Sequence, residues 1–150
     1  MSCTCVHLTG RDVGALKALL AVFADAFDER ETYLGAVPDD AYLEGLLESG
    51  SFIAVTASVD DEVVGGLAAY ELQKFEQARR EIYIYDLAVA EPFRRRGIAT
   101  ALIRTLQRIA AERGAYVIYV QADLEDDPAI RLYESLGRRE DVLHFDIDVP

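Results

Sequence analysis

Residues 83–103 read YIYDLAVAEPFRRRGIATALI. Strong β-formers run as far as Val89, which predicts a strand over Glu81–Val89. Pro92 and the arginines Arg94, Arg95 and Arg96 interrupt it, and Gly97 then opens a helical pattern over Ile98–Glu112. A loop that feeds a helix N-terminus presents unpaired backbone N–H groups and the positive end of the helix dipole. Gly97 lacks the Cβ that would hold a ligand away from this backbone. The chemistry that suits such a junction is a diphosphate. Neither G-x-G-x-x-G nor G-x-x-x-x-G-K-[ST] occurs in the chain, so dinucleotide-fold and P-loop binding are excluded. The plainer alternative for the arginine run is a solvated helix cap.

Outward from this junction, the periodicity alternates between helix and strand. Cys3–Leu8 reads as a short strand, and Thr9-Gly10-Arg11-Asp12 resembles a capping box with Asp in place of Glu. Val13, Leu16, Leu19, Leu20, Phe23 and Phe27 follow at helical spacing. Asp28–Val37 reads as a polar connection, and Pro38-Asp39-Asp40 starts a helix that Gly50 stops. Phe52–Val59 and Val63–Leu72 flank the acidic turn Asp60-Asp61-Glu62 as a hairpin. Beyond the long helix, Ala115–Ala122 reads as a buried strand, Pro128–Leu136 as a helix and Val142–Val149 as a final strand. The order β-α-α-β-β-β-α-β-α-β predicts an α/β fold, a mixed sheet with helices on both faces.

The 150 residues suffice for one domain, 1–150, and 51% hydrophobic content supplies one sizeable core and excludes disorder. No apolar run approaches the ~20 residues needed to span a bilayer. The N-terminal MSCTCVHLTG has neither a basic nor an apolar signal region, which together predicts a cytoplasmic protein with no membrane partner. The net charge of −12 argues against nucleic acid. Arg94–Arg113 nevertheless holds six arginines and one acid, leaving 9 basic and 26 acidic groups elsewhere. Such a chain can hold an anion at one place and attract cations at others, although acidic surfaces also serve solubility alone. Cys3, Cys5 and His7 share a strand face, but zinc needs three or four ligands and the only other histidine is His144. No metal is expected.

Arg94-Arg95-Arg96-Gly97-Ile98-Ala99 matches the [Q/R]-x-x-G-x-[G/A] motif of the GNAT acyl-CoA-dependent N-acetyltransferases. Asp127-Pro128-Ala129-Ile130-Arg131-Leu132-Tyr133, ending at Gly137, resembles the helix that carries that family's tyrosine. The strings LQKFEQ, EIYIYDLAV, GAYVIYVQAD and HFDID are similar to aminoglycoside 3-N-acetyltransferases of the type I group. The resemblance covers the whole chain. It implies a mostly antiparallel sheet in which a splayed strand pair holds acetyl-CoA. Backbone amides of Arg94, Arg95, Arg96, Gly97, Ile98, Ala99 and Thr100 would hold the pyrophosphate. Leu87, Ala88 and Val89 would pair with pantetheine like an added strand. The resemblance implies that Tyr133 would protonate the departing thiolate; on its residues alone it reads as a core-packing ring beside Leu132 and Leu136.

An acceptor amine must be neutral to attack. Moving its proton to a reference carboxylate costs about 9 kcal/mol, so any carboxylate base needs help from its surroundings. Asp86, a lone acid in an apolar strand just before Leu87, is the candidate base, with a bulge cap or an arginine partner as its plainer alternatives. Strict alternation places it with Ile82 and Ile84, although a bulge would break that parity. A polycationic acceptor needs convergent carboxylates, for which Asp123, Asp146 and Asp148 are the candidates because strands would aim them; Asp28, Glu29 and Glu31 form another acidic group. The resemblance implies the 3-amino group of an aminoglycoside antibiotic, and hence resistance. Polyamines or other small cationic amines are the alternative acceptors, protein N-termini or lysines another, and a non-catalytic CoA-binding regulatory domain the alternative of a different class. A homodimer is an expectation, with the C-terminal strand as an exchange or pairing edge.

Overall fold

A computed structural model describes residues 2–150. Five strands form one sheet in the order β1-β2-β3-β4-β5: β1 is Thr4–His7, β2 Phe52–Val59, β3 Glu62–Gln73, β4 Arg80–Val89 and β5 Ala115–Val120. The first three pairings are antiparallel and β4–β5 is parallel. This is the mixed, mostly antiparallel α/β sheet expected from the alternating periodicities.

Helices cover both faces. One carries α4 (Ile98–Glu112), whose Leu102, Leu106 and Ile109 pack on Ile53, Val55, Leu67, Ile82 and Ile84. The other carries α1 (Val13–Ala26) and α3 (Asp40–Glu48), whose Leu19, Phe23 and Leu43 pack on Ala54, Ala68 and Ala88. β2 is therefore buried on both sides, which fits a sequence whose only polar residues are Thr56 and Ser58. Small residues let α1 sit close: a Cβ on Gly66 would come within 2.5 Å of Leu19 Cδ1 and 2.6 Å of the Val55 carbonyl oxygen.

Four expectations are corrected. The polar connection Asp28–Val37 contains a short helix, α2 (Arg30–Leu34), anchored by Tyr33 against Phe23 and Phe27 with ring centroids 5.8 Å away in each case. Thr9 does not cap α1; Asp12 stands at the N-cap and accepts the Thr9 backbone N–H at 2.7 Å. The strand beginning at Ala115 ends at Val120, and its residues are mostly half-buried because it is the sheet edge. Val142–Val149 joins no sheet: residues 138–150 are exposed and without turn, bend or ladder bond. The alternating pattern is there, but a strand exists only where another strand answers its hydrogen bonds.

Candidate active site

β4 is paired differently along its two edges. On one side it follows β3 to its end, through Leu87–Leu67, Ala88–Gly66 and Val89–Gly65. On the other, pairing with β5 stops at Ile84–Val120. Tyr85 to Val89 thus has an edge with no strand partner, and the two strands part into a slot. Leu87, Ala88 and Val89 line its β4 side.

The loop at the end of the slot is built for an anion. Arg95 (φ 64°) and Gly97 (φ 77°) both take left-handed backbone, which makes the loop concave toward its own N–H groups. The amides of Arg95, Arg96 and Gly97 have no hydrogen-bond partner among the described residues. The first-turn amides of α4, at Ile98, Ala99 and Thr100, add donors beside the positive helix end. Nothing lies within 4 Å of the position a Gly97 Cβ would take, so the approach is open. Arg94 differs from its neighbours: its amide is bonded to the Glu91 carbonyl at 3.2 Å, and its Nε donates to the Val89 carbonyl at 2.8 Å. It ties loop to strand, and the donors begin at Arg95. The Arg96 guanidinium lies over the Phe93 ring at 5.3 Å. Open amides, a left-handed glycine and local positive charge fit a diphosphate, and the unpaired strand edge fits the amide-bearing arm of coenzyme A.

Asp86 stands where the strands part. Its register with Ala68 follows a bulge at Ala68–Ala69, which leaves Tyr85 without a β3 partner and shifts the alternation by one residue. Asp86 consequently leaves the face of Ile82 and Ile84 and points to the α1–α2 side. There it accepts the Tyr33 hydroxyl at 2.8 Å. Burial pushes its carboxyl above the usual range, the Tyr33 bond pulls it down, and Glu29 pushes it up again. Burial and the same bond raise the Tyr33 phenol. Tyr33 lay in a stretch without helical signal, and no sequence feature links it to Asp86.

Aromatic rings pave the sheet beside Asp86. Phe52–Tyr70, Tyr70–Tyr85, Tyr85–Tyr83 and Tyr83–Tyr119 are neighbours at centroid distances of 5.4, 6.0, 5.6 and 4.6 Å. The Tyr83 hydroxyl donates to Gln121 Oε1 at 3.0 Å. The tyrosines of β4 and β5 were legible as strand-formers, but their meeting as one floor depends on the bulge and the register. A floor of rings with hydroxyl rims offers a cation both π-faces and acceptors.

Tyr133 lies on α5 (Asp127–Leu136) and packs on the α4-side core. Burial, with Asp126 nearby, pushes its phenol up to about 12, so it stays protonated throughout the neutral range. Its hydroxyl bonds to no described residue. Asp126 caps α5 by accepting the Ala129 amide at 3.2 Å. Asp123, Asp146 and Asp148 are exposed and are not brought together with Asp86 by any contact in this chain. Asp146 pairs with His144 at 2.8 Å on its own segment. Two shallow hollows, of about 560 and 410 Å³, lie toward β1 and contain none of the expected site residues. Cys3 and Cys5 are free thiols, and no cluster of three metal-ligating groups occurs among the described residues.

Residues 16–137 match the model of the acetyltransferase (GNAT) family. The chain belongs to that family. Its five-stranded mixed sheet, open between β4 and β5, is the GNAT fold. A solved aminoglycoside acetyltransferase, HMB0005 from an uncultured soil metagenomic sample, is 59% identical, with a TM-score of 0.98 and 100% of both chains covered. A second, meta-AAC0020 in complex with sisomicin, is 29% identical with a TM-score of 0.91, covering 99% of this chain and 97% of that one. Among curated proteins, an N-alpha-acetyltransferase from Sulfurisphaera tokodaii is 32% identical over 56% of this chain and 54% of its own length. The GNAT chain spans about half the length of the curated relatives it matches. No helix among the described residues is long and apolar enough to cross a membrane.

Proposed function

We propose that this protein transfers the acetyl group of acetyl-CoA to an amine of an aminoglycoside, at the 3-amino group, by direct attack on the thioester. The observation that carries the reading is Asp86: a half-buried carboxyl held by Tyr33, at the point where the cofactor slot opens onto an aromatic floor. The full-length likeness to an aminoglycoside acetyltransferase supports the acceptor class. The choice of the 3-amino group rests on the family-like strings EIYIYDLAV and GAYVIYVQAD.

Acetyl-CoA, as co-substrate, supplies an activated acyl carbon and a thiolate leaving group. The amides from Arg95 to Thr100 bind its diphosphate, and the free edge of Leu87–Val89 orients its arm. Asp86 receives a proton from the acceptor ammonium, directly or through one water. Its raised carboxyl and the acceptor's other positive charges, which lower the amine's own affinity for protons, narrow the gap of about 9 kcal/mol. The neutral nitrogen then bonds to the acyl carbon and releases its surplus proton to solvent as the carbon–sulfur bond breaks. Tyr133 gives its hydroxyl proton to the departing sulfur and regains one from solvent. Tyr83, Tyr85 and Tyr119 hold the acceptor ring against the sheet, with acidic groups such as Asp123 around it.

Thiol release measured with acetyl-CoA against gentamicin-like and kanamycin-like antibiotics, spermidine and an N-terminal peptide tests the acceptor. The peptide is included because the curated relatives include N-alpha-acetyltransferases. Turnover with the antibiotics and not with the others is expected, and mass spectrometry of the product locates the acetyl group. Asp86→Asn, which keeps an acceptor for Tyr33, should lower kcat about 10²- to 10⁴-fold without loss of thermal stability. Near-normal turnover across pH would remove Asp86 from the chemistry.

A further inference from the structure

The larger of the two hollows, about 560 Å³, lies on the α1 side of the sheet, between α1, β1 and the β2–β3 turn. It exists because α1 presents Gly14, Ala15 and Ala18 there, and a Cβ on Gly14 would meet nothing within 4 Å. Its lining is one-sided in charge. Asp12, Asp61 and Glu62 face it, and no basic side chain does. Asp12 accepts the Thr9 amide and hydroxyl at its Oδ2, at 2.7 and 3.1 Å, and keeps Oδ1 without a protein partner. The carboxylates of Asp61 and Glu62 bond to no described residue.

The floor of the hollow is Thr56, a buried residue only 2% exposed. Its neighbours Val55 and Ala57 face α4, so Thr56 turns its side chain to the opposite face, under α1. Every fully enclosed polar side-chain atom among the described residues has a hydrogen-bond partner. The Thr56 hydroxyl has none, so its oxygen is the part that remains reachable, and the hollow is where it is reached. A hydroxyl so deeply set lacks the bond that a ligand N–H would supply. Carboxylates and hydroxyl lie in a line. The Leu8 amide, where β1 turns toward Asp12, donates to the Ala54 carbonyl at 2.9 Å, and Glu62 pairs with Val59. Five residues of β2 separate those levels, about 16 Å, with Thr56 and Ser58 between them. Carboxylates reaching in by about 3 Å from each end leave about 10 Å between negative charges.

We propose that this hollow binds a linear oligoamine, with its terminal ammonium groups on Asp12 and on Asp61–Glu62 and a central ammonium donating to the Thr56 hydroxyl. Three positive charges then meet three negative ones, and the methylenes lie on Val6, Ala15 and Ala18. The positive end of α1 would repel an ammonium, but that end is worth about half a charge and Asp12 brings a full one. None of these residues belongs to the cofactor slot or to the aromatic floor beside Asp86. Occupancy of the hollow is therefore independent of the acceptor proposed above.

Two probes test it without reference to activity: bis(3-aminopropyl)amine and 1,7-diaminoheptane, which differ only in a central ammonium against a methylene. Titration of the full chain, followed by backbone amide NMR shifts, gives a Kd for each at residues 12–18 and 56–63. Shifts at 83–86 report the acceptor side separately. At about 0.15 M salt, where loose attraction to an acidic surface is screened, the triamine should bind about fivefold or more tighter than the diamine. Thr56→Val keeps the shape and removes the hydroxyl, and should cut that ratio to about twofold or less. Asp61→Asn/Glu62→Gln should weaken both probes about fivefold; Asn tolerates the φ of 62° at position 61. Ala18→Leu, on the exposed side of α1, fills the hollow and should abolish both, which keeps the test open if Thr56→Val folds poorly. Absence of shifts at 12–18 and 56–63 overturns the proposal. So does equal affinity for the two probes, a ratio that survives Thr56→Val, or binding that is indifferent to Ala18→Leu or to the Asp61/Glu62 pair.

Discussion

Replacing Tyr33 by Phe removes one oxygen from the structure and isolates what that oxygen does to Asp86. The phenol donates to Asp86 Oδ1 at 2.8 Å and favours the ionised carboxylate, while burial and Glu29 favour the neutral acid. A hydrogen bond to a charged group is worth about 1.5–3 kcal/mol, and partial exposure of this pair reduces that to about 1–1.5 kcal/mol. At 1.36 kcal/mol per unit, the Asp86 carboxyl should rise by about one further pH unit. The assay is kcat/KM for acetyl transfer against pH. Its acid limb should move about one unit to higher pH, with a plateau within about threefold of the natural protein, because the ring keeps its contacts with Phe23 and Phe27. Stability follows the same titration. Asp86 already sits above its reference value of 3.8 in the folded state, so its favourable contribution is complete below that value and is lost as pH rises through the folded one. Tyr33→Phe raises the folded value further and so destabilises above the titration, by about 1 kcal/mol at neutral pH and far less near pH 4. An acid limb that stays in place, or moves to lower pH, would refute the role given to this bond.

Other substitutions separate the remaining parts of the site. Tyr133→Phe should lower kcat about 10²-fold or more with the melting temperature unchanged, since the ring still fills its place against α4, and steady-state kinetics with calorimetry check both. Gly97→Val forces a β-branched residue to a φ of 77° and puts methyl groups where the diphosphate would lie. The Kd for acetyl-CoA by titration calorimetry should weaken about tenfold or more. Gly66→Ala drives a methyl into Leu19 and the Val55 carbonyl, costing about 1–3 kcal/mol, and should lower the melting temperature by several degrees.

The strand, turn and helix that flank the candidate slot were legible because their causes are local. Arg94–Gly97 follows a β-rich run and precedes helical spacing, and those few residues suffice to place a concave run of amides at a helix start. The acceptor side was less legible. One bulged residue, Tyr85, turns Asp86 to the other face of the sheet, and alternation counted from Ile82 predicts the wrong neighbours. Tyr33 comes from a five-residue helix too short for a periodic signal, and it reaches Asp86 across 53 positions of chain. Residues 142–149 show the opposite case, a strand pattern in the sequence that finds no partner strand in the structure.

By itself, the sequence determined most of the helical and extended segments, that no familiar nucleotide loop is present, and that an arginine-rich turn closed by Gly97 opens α4. Periodicity and backbone preference act between near neighbours, so a one-dimensional reading suffices for them. Tertiary structure alone decided where β4 and β5 part, which face Asp86 takes, which hydroxyl tunes it, and that four tyrosines form one floor. Each of those depends on register between strands distant in sequence, and register is set by the packing of the whole sheet against its helices.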